Sequence, residues 1–224
     1  MKLHTVAIAS FLVLATAGAV TFDVKNEAAS TPGGQRFDRD YGADYARQVL
    51  SDASTFTWNI FNQPDPADRR PVDTVLLAVR ETDGIAATSG STIELSARYV
   101  DGITGDDLKD QVTGVLYHEV VHVWQWGLQD YVAHPGIFEG IADYVRLKAG
   151  YPAQGWVQPG QGDRWDEGYS VTARFLDYCD SLKQGFVAEL NAKLKDGYNE
   201  DYFVQILGKN VQELWQDYKA KYGG

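Results

Sequence analysis

The stretch LYHEVVHVWQW (residues 116–126) decides how the rest of the sequence is read. Folded as a helix, it places His118 and His122 one turn apart on the same face, so both imidazoles can reach a common point. Glu119 is then offset by about 100° around the axis, beside that point rather than on it. Just upstream, Thr104 offers an N-cap, and Asp106 and Asp107 fall where carboxylates favour the helix dipole. The spacing predicts a helix over 106–126.

Upstream of that helix, residues 72–79 (VDTVLLAV) are β-branched and apolar between turn residues, which predicts a buried strand. Residues 85–88 and 92–100 predict two more strands, joined by Ser89-Gly90-Ser91. Earlier still, Tyr41, Tyr45, Val49, Ala53, Phe56 and Ile60 recur at three- and four-residue steps. That period predicts an amphipathic helix over 38–61, ended by Pro64, Pro66 and Pro71. Residues 26–36, broken by Pro32-Gly33-Gly34, read as a polar loop. Downstream, IFEGIADYVRLKA predicts a helix from about Pro135 to a stop at Gly150. Residues 151–167 form a Gly-, Pro- and Trp-rich loop, and helical patterns follow at 168–182, 184–195, 199–207 and 210–221. Strands first and helices after predict an α+β fold, with an N-terminal mixed or antiparallel sheet and a helical C-terminal half.

Acidic residues outnumber basic ones, 31 against 20 in 224 residues, for a net charge of -11. Such a surface lacks the Lys/Arg stripes that bind nucleic-acid phosphates or anionic lipid, so neither partner is expected. Residues 6–20 (VAIASFLVLATAGAV) follow a short positive start and end on the small residues Ala17, Gly18 and Ala19. They predict a signal peptide over 1–19, export from the cell, and a mature domain over 20–224 with no membrane attachment after cleavage. The apolar run is shorter than the roughly 20 residues that span a bilayer. The single cysteine, Cys179 in ARFLDYCDSL, permits no intrachain disulfide and reads as a buried thiol. Stability must then come from the core and a bound metal.

The chemistry centres on His118-Glu119-Val120-Val121-His122, the H-E-x-x-H signature of zinc metallopeptidases. Two histidines at helical spacing bind Zn²⁺, and the glutamate between them takes a proton from the attacking water. A third protein ligand is needed. The longer pattern ending in a third His fails, because Gln125 and Leu128 stand where Gly and His are required. The next helix offers Glu139 and Asp143 at E-x-x-x-D spacing. Glu139 as ligand, with Asp143 holding the free N–H of a ligand histidine, is favoured; Asp143 as ligand is the alternative. Tyr169 is the candidate donor to the oxyanion, with His134 behind it. Residues 92–100 are the expected edge strand onto which an extended peptide adds. Trp124, Trp126, Trp156 and Trp165 are candidates for lining substrate subsites, although core packing competes for Trp124 and Trp126.

Several longer stretches carry a resemblance: LYHEVVHVWQW, EGIADYVRLKAGY, WVQPGQGDRWDEGYSVTARFLDYCDSL, GFVAELNAKL, LWQDYKAKYG and TPGGQRFDRDYGADYARQVL. Together they resemble the plant basic secretory protein family, the peptidases of plants and bacteria, over nearly all of the chain after the signal. The resemblance implies a zincin-like fold, Zn²⁺ held by His118, His122 and Glu139, and Glu119 as general base. It further implies a peptide or protein substrate and a role in plant defence in the apoplast or cell wall. The chain departs from the family's name by being acidic. The competing expectation is a non-catalytic secreted protein that binds glycan or protein through the 151–167 loop. The presence of Glu119 favours the enzyme, because a structural zinc site has no use for a base beside it.

Overall fold

A computed structural model describes residues 19–105 and 107–223. The expected signal peptide therefore lies, but for its last residue, outside the described residues. Four strands form one mixed sheet: β1 (Thr21–Asn26), β2 (Thr74–Arg80), β3 (Ala86–Ser89) and β4 (Thr92–Ser96). Their order is β1-β2-β4-β3, with β1 and β4 parallel to β2 and β3 antiparallel to β4. Central β2 buries Val75, Leu77, Ala78 and Val79, as its apolar run predicts. β1 had no forecast. It abuts the apolar leader and buries only Val24, so its partnership with a strand some fifty residues later leaves little local trace.

The helices are α1 (Pro32–Arg36), α2 (Ala43–Ile60), α3 (Ala97–Gly102), α4 (Leu108–Trp124), α5 (Pro135–Lys148), α6 (Tyr169–Leu182), α7 (Phe186–Leu194), α8 (Tyr202–Leu207) and α9 (Val211–Tyr222). This is an α+β fold with its strands in the first half. Four expectations need correction. The stretch 26–36 is not all loop: Thr31 caps α1 by accepting from the Gly34 amide at 3.1 Å, with Pro32 in the first turn. Gly33 and Gly34 are there for contact, since a Cβ at Gly33 would meet the Ala97 carbonyl oxygen at 1.8 Å. The helix expected over 38–61 is a wide π turn over Phe37–Tyr41, then a break at Gly42, then α2.

The third correction bears on function. The strand expected over 92–100 stops at Ser96, whose hydroxyl accepts from the Tyr99 amide at 3.3 Å and starts α3. β4 is also interior to the sheet, so the exposed edge beside α4 belongs to β3. Helix α4 begins later than Thr104 predicts; Asp107 precedes it without a side-chain capping bond.

Helix α4 is the centre of the molecule, with its last seven residues, His118 to Trp124, all buried. It packs against α2, α5 and β3. The Trp124 indole donates to Ser54 Oγ on α2 at 3.0 Å and meets Trp58 edge-on. Behind α5, helices α6 to α9 close a second part of the core around Phe175, which touches Trp165, Phe203, Trp215 and Tyr218. Trp124 and Trp165 are thus core residues, and Trp126 is half-buried beneath the Lys195 ammonium. Cys179 is fully buried, and burial pushes its thiol pKa well up.

Candidate metal centre

Helices α4 and α5 cross so that the turn carrying His118 and His122 faces the turn carrying Glu139 and Asp143. Nε2 of His118 lies 3.2 Å from Nε2 of His122 and 3.0 Å from Glu139 Oε2, and the His122–Glu139 separation is 3.7 Å. Ligand atoms at the corners of a tetrahedron with bonds near 2.0–2.1 Å are about 3.3–3.4 Å apart. These three edges bracket that value, so the buried His118, His122 and Glu139 group can hold a metal ion. Asp143 is not among the converging atoms. Its Oδ1 accepts from Nδ1 of His118 at 2.6 Å, which directs the ring's Nε2 inward. The geometry thus favours Glu139 over Asp143 as the third ligand.

The second histidine is held by a residue sequence reasoning passed over. The Gln125 amide lies 2.6 Å from Nδ1 of His122, and it is fully buried. Its Oε1 faces no donor with the amide nitrogen turned to the ring. Exchanging the two ends of the amide gives the oxygen a donor: Nδ1–H donates to Oε1, and His122 Nε2 keeps its lone pair for a metal. An orphaned buried oxygen is thereby satisfied by the tautomer that metal binding needs.

Glu119 sits beside the group and outside it. Thr88 on β3 donates from its hydroxyl to Glu119 Oε2 at 2.7 Å, with the Glu119 carbonyl 3.1 Å away. Edge strand β3 therefore fixes the carboxylate. Tyr131 completes the ring of contacts by donating to Glu139 Oε1, leaving Oε2 toward the histidines. Neither Thr88 nor Tyr131 was foreseen. Thr88 acts from 31 residues away in the chain and Tyr131 from a loop eight residues before Glu139, and Thr and Tyr are too common to flag by type.

Electrostatics follow from this crowding. Burial opposes the charged His118 ring, but the Asp143 and Glu139 carboxylates outweigh it and raise its pKa to about 10. Burial would raise the Glu139 carboxyl, yet hydrogen bonds from His118 and His122 hold it well below the usual carboxylate range. Burial, then the Glu139 carboxylate, push the Tyr131 hydroxyl well up.

The group lies at the floor of an open cleft of about 1000 Å³. Residues 85–90, on and around β3, form one wall, and Trp156, Tyr169 and Val132 stand on the others. Tyr169 is brought to the site as expected. Its ring lies parallel to His118, with centroids 6.0 Å apart, and it is 57 % exposed. Its φ of 44° at the start of α6 is a left-handed conformation rare for an aromatic residue. His134 is not brought there: it stacks on Tyr198 at 3.8 Å, in a small separate hollow beside Arg164 and Asp166. Of the four tryptophans considered for subsites, Trp156 alone lines the cleft.

The sequence profile of the family described as "Peptidase of plants and bacteria" matches residues 17–218. The chain belongs to this family. Within the curated proteins it is 51% identical over 59 residues to a "Basic secretory protease" of Boswellia serrata, a stretch covering 26% of this chain and 67% of the relative. No solved structure gave a match. Both names point to a hydrolase of peptide bonds, and the relative's name to secretion. The described residues contain no helix long and apolar enough to cross a membrane.

Proposed function

We propose that the chain is a secreted, zinc-dependent peptidase on a zincin-like scaffold, its domain spanning residues 20–224 after removal of a signal peptide. The observation that carries this reading is the set of tetrahedral edges among His118, His122 and Glu139, with a carboxylate, Glu119, held beside them. A zinc ion bound there supplies a Lewis acid for the substrate carbonyl and lowers the pKa of water from 15.7 to about 7. Glu119, oriented by Thr88, takes a proton from the attacking water and returns it to the leaving amine. Tyr169 is placed to donate to the oxyanion from the open side of the cleft. Burial and the nearby Glu139, Asp143 and Glu119 charges raise its pKa, and the phenol, protonated at neutral pH in any case, is a donor.

An extended peptide fits the edge of β3, whose outer side faces the cleft. Ile85, Val132 and Tyr169 leave apolar surface at the rim for its side chains. The relative's name supports export, and the resemblance supports a defence role in the plant apoplast or cell wall. Metal analysis of purified protein together with cleavage of a mixed peptide library tests the reading. About one zinc per chain is expected, with cleavage abolished by a chelator and restored by zinc. Full zinc occupancy without cleavage of any peptide sinks it.

A further inference from the structure

Arg146 is the only Lys or Arg among the described residues that line the cleft. It lies on α5, three residues beyond Asp143. Its Nε donates to the Tyr151 carbonyl at 2.8 Å, which fixes the guanidinium plane. A Cβ placed at Gly114 would come within 2.9 Å of Nη2, so the group rests on bare α4 backbone. Trp156 stands on its other side, with the guanidinium carbon 5.4 Å from the ring centroid. Among the described residues the Nη groups have no hydrogen-bond partner, and no carboxylate pairs with the side chain. Burial lowers its pKa, and the charges of Asp143, Tyr99 and Glu119 partly oppose that shift.

A half-buried guanidinium with its fork unfilled is suited to a carboxylate that takes the fork in bidentate fashion. We infer that Arg146 selects substrates bearing a carboxylate close to the scissile bond, an inference that rests on the peptidase reading for its substrate class. The spacing follows from α4. Gly114 and His118 share a face one turn apart, about 5.4–6 Å along the axis. An extended chain advances about 3.3–3.6 Å per residue. On that helix rise, a carboxylate on Arg146 would lie about one or two residues from a carbonyl at the His118–His122–Glu139 group. Both an Asp or Glu side chain and the α-carboxylate of a short peptide meet that requirement. The chain's net charge of -11 repels anions at long range, so the preference is local and depends on this one side chain.

The test uses peptide pairs differing only by Glu against Gln at the two positions on each side of the cleaved bond, and pairs with a free or amidated C-terminus. Wild type is expected to favour one carboxylate form about 10- to 100-fold in kcat/KM. Which pair shows the preference identifies the side-chain or the terminal carboxylate. Arg146→Gln should lose the preference or reverse it, and Arg146→Lys should keep part of it. Zinc content and thermal unfolding of each variant check that the fold survives. In parallel, calorimetry measures binding of the same pairs to Glu119→Gln protein, which needs no turnover. Equal kcat/KM for acid and neutral members in wild type overturns the inference while leaving the peptidase reading intact. No cleavage at all, with carboxylate-dependent binding that Arg146→Gln removes, sustains the anion site and sinks the peptidase reading. Absence of both cleavage and carboxylate-dependent binding overturns the inference.

Discussion

Gln125 closes α4 with its amide against the His122 ring, and its contribution is orientation. A leucine there keeps the volume but leaves Nδ1–H buried and unpaired, so the ring is free to adopt the tautomer that points a proton at the metal. Gln125→Leu is expected to weaken zinc affinity about 10- to 100-fold, measured by competition with a chelator of known strength. Gln125→Glu, which still accepts from Nδ1–H, should stay within a few-fold of wild type; equal affinity for all three removes the role. His118, Glu119 and His122 were legible because helical spacing is local. Glu139 and Asp143 were legible as a pair with Glu139 favoured, and the crossing of α4 and α5 brings Glu139 rather than Asp143 to the two Nε2 atoms. Gln125 was visible only as the residue that broke a longer motif.

The crossing of α5 with α6 holds the third ligand in place. Gly140, between Glu139 and the inward turn of α5, sits against Thr172: a Cβ there would lie 2.2 Å from Thr172 Cγ2. Thr172 cannot rotate away cheaply, because its hydroxyl donates to the Trp165 carbonyl at 2.7 Å and accepts from the Gly168 amide at 2.8 Å. In an open helix Gly→Ala gains roughly 1 kcal/mol. Here overpacking wins, and Gly140→Ala should cost about 1–3 kcal/mol in denaturant unfolding and lower zinc affinity as Glu139 shifts. Unchanged stability contradicts the close packing. Element order and most helix spans were legible from apolar period and Pro/Gly punctuation. Strand order was not: β3 and β4 are neighbours in sequence, and only the parallel pairing of β4 with β2 leaves four-residue β3 as the edge. The end of β4 was also hidden, since Tyr99 and Val100 are as common in strands as the residues before them and only the Ser96 cap turns the chain helical.

At the scale of the molecule, the sheet with α2 and α4 lies on one side of the cleft and α5 with the C-terminal helices on the other. With a single cysteine no disulfide can link them, and a metal held by His118, His122 and Glu139 would tie α4 to α5. A ligand at 100 times its dissociation constant stabilises by about 2.7 kcal/mol, which for this chain length is a rise in Tm of about 5–11 °C. Zinc added to chelator-stripped protein should give a shift of that size in calorimetry, and a Tm indifferent to zinc contradicts the bridge. The most direct test of the account as a whole is the peptide-cleavage rate of Glu119→Gln at full zinc occupancy. The substitution keeps the shape and the contact with Thr88 but removes the base. The account predicts one zinc per chain in both proteins and a kcat lower by about 10²–10⁴-fold in the variant; a variant that cleaves at the wild-type rate contradicts it.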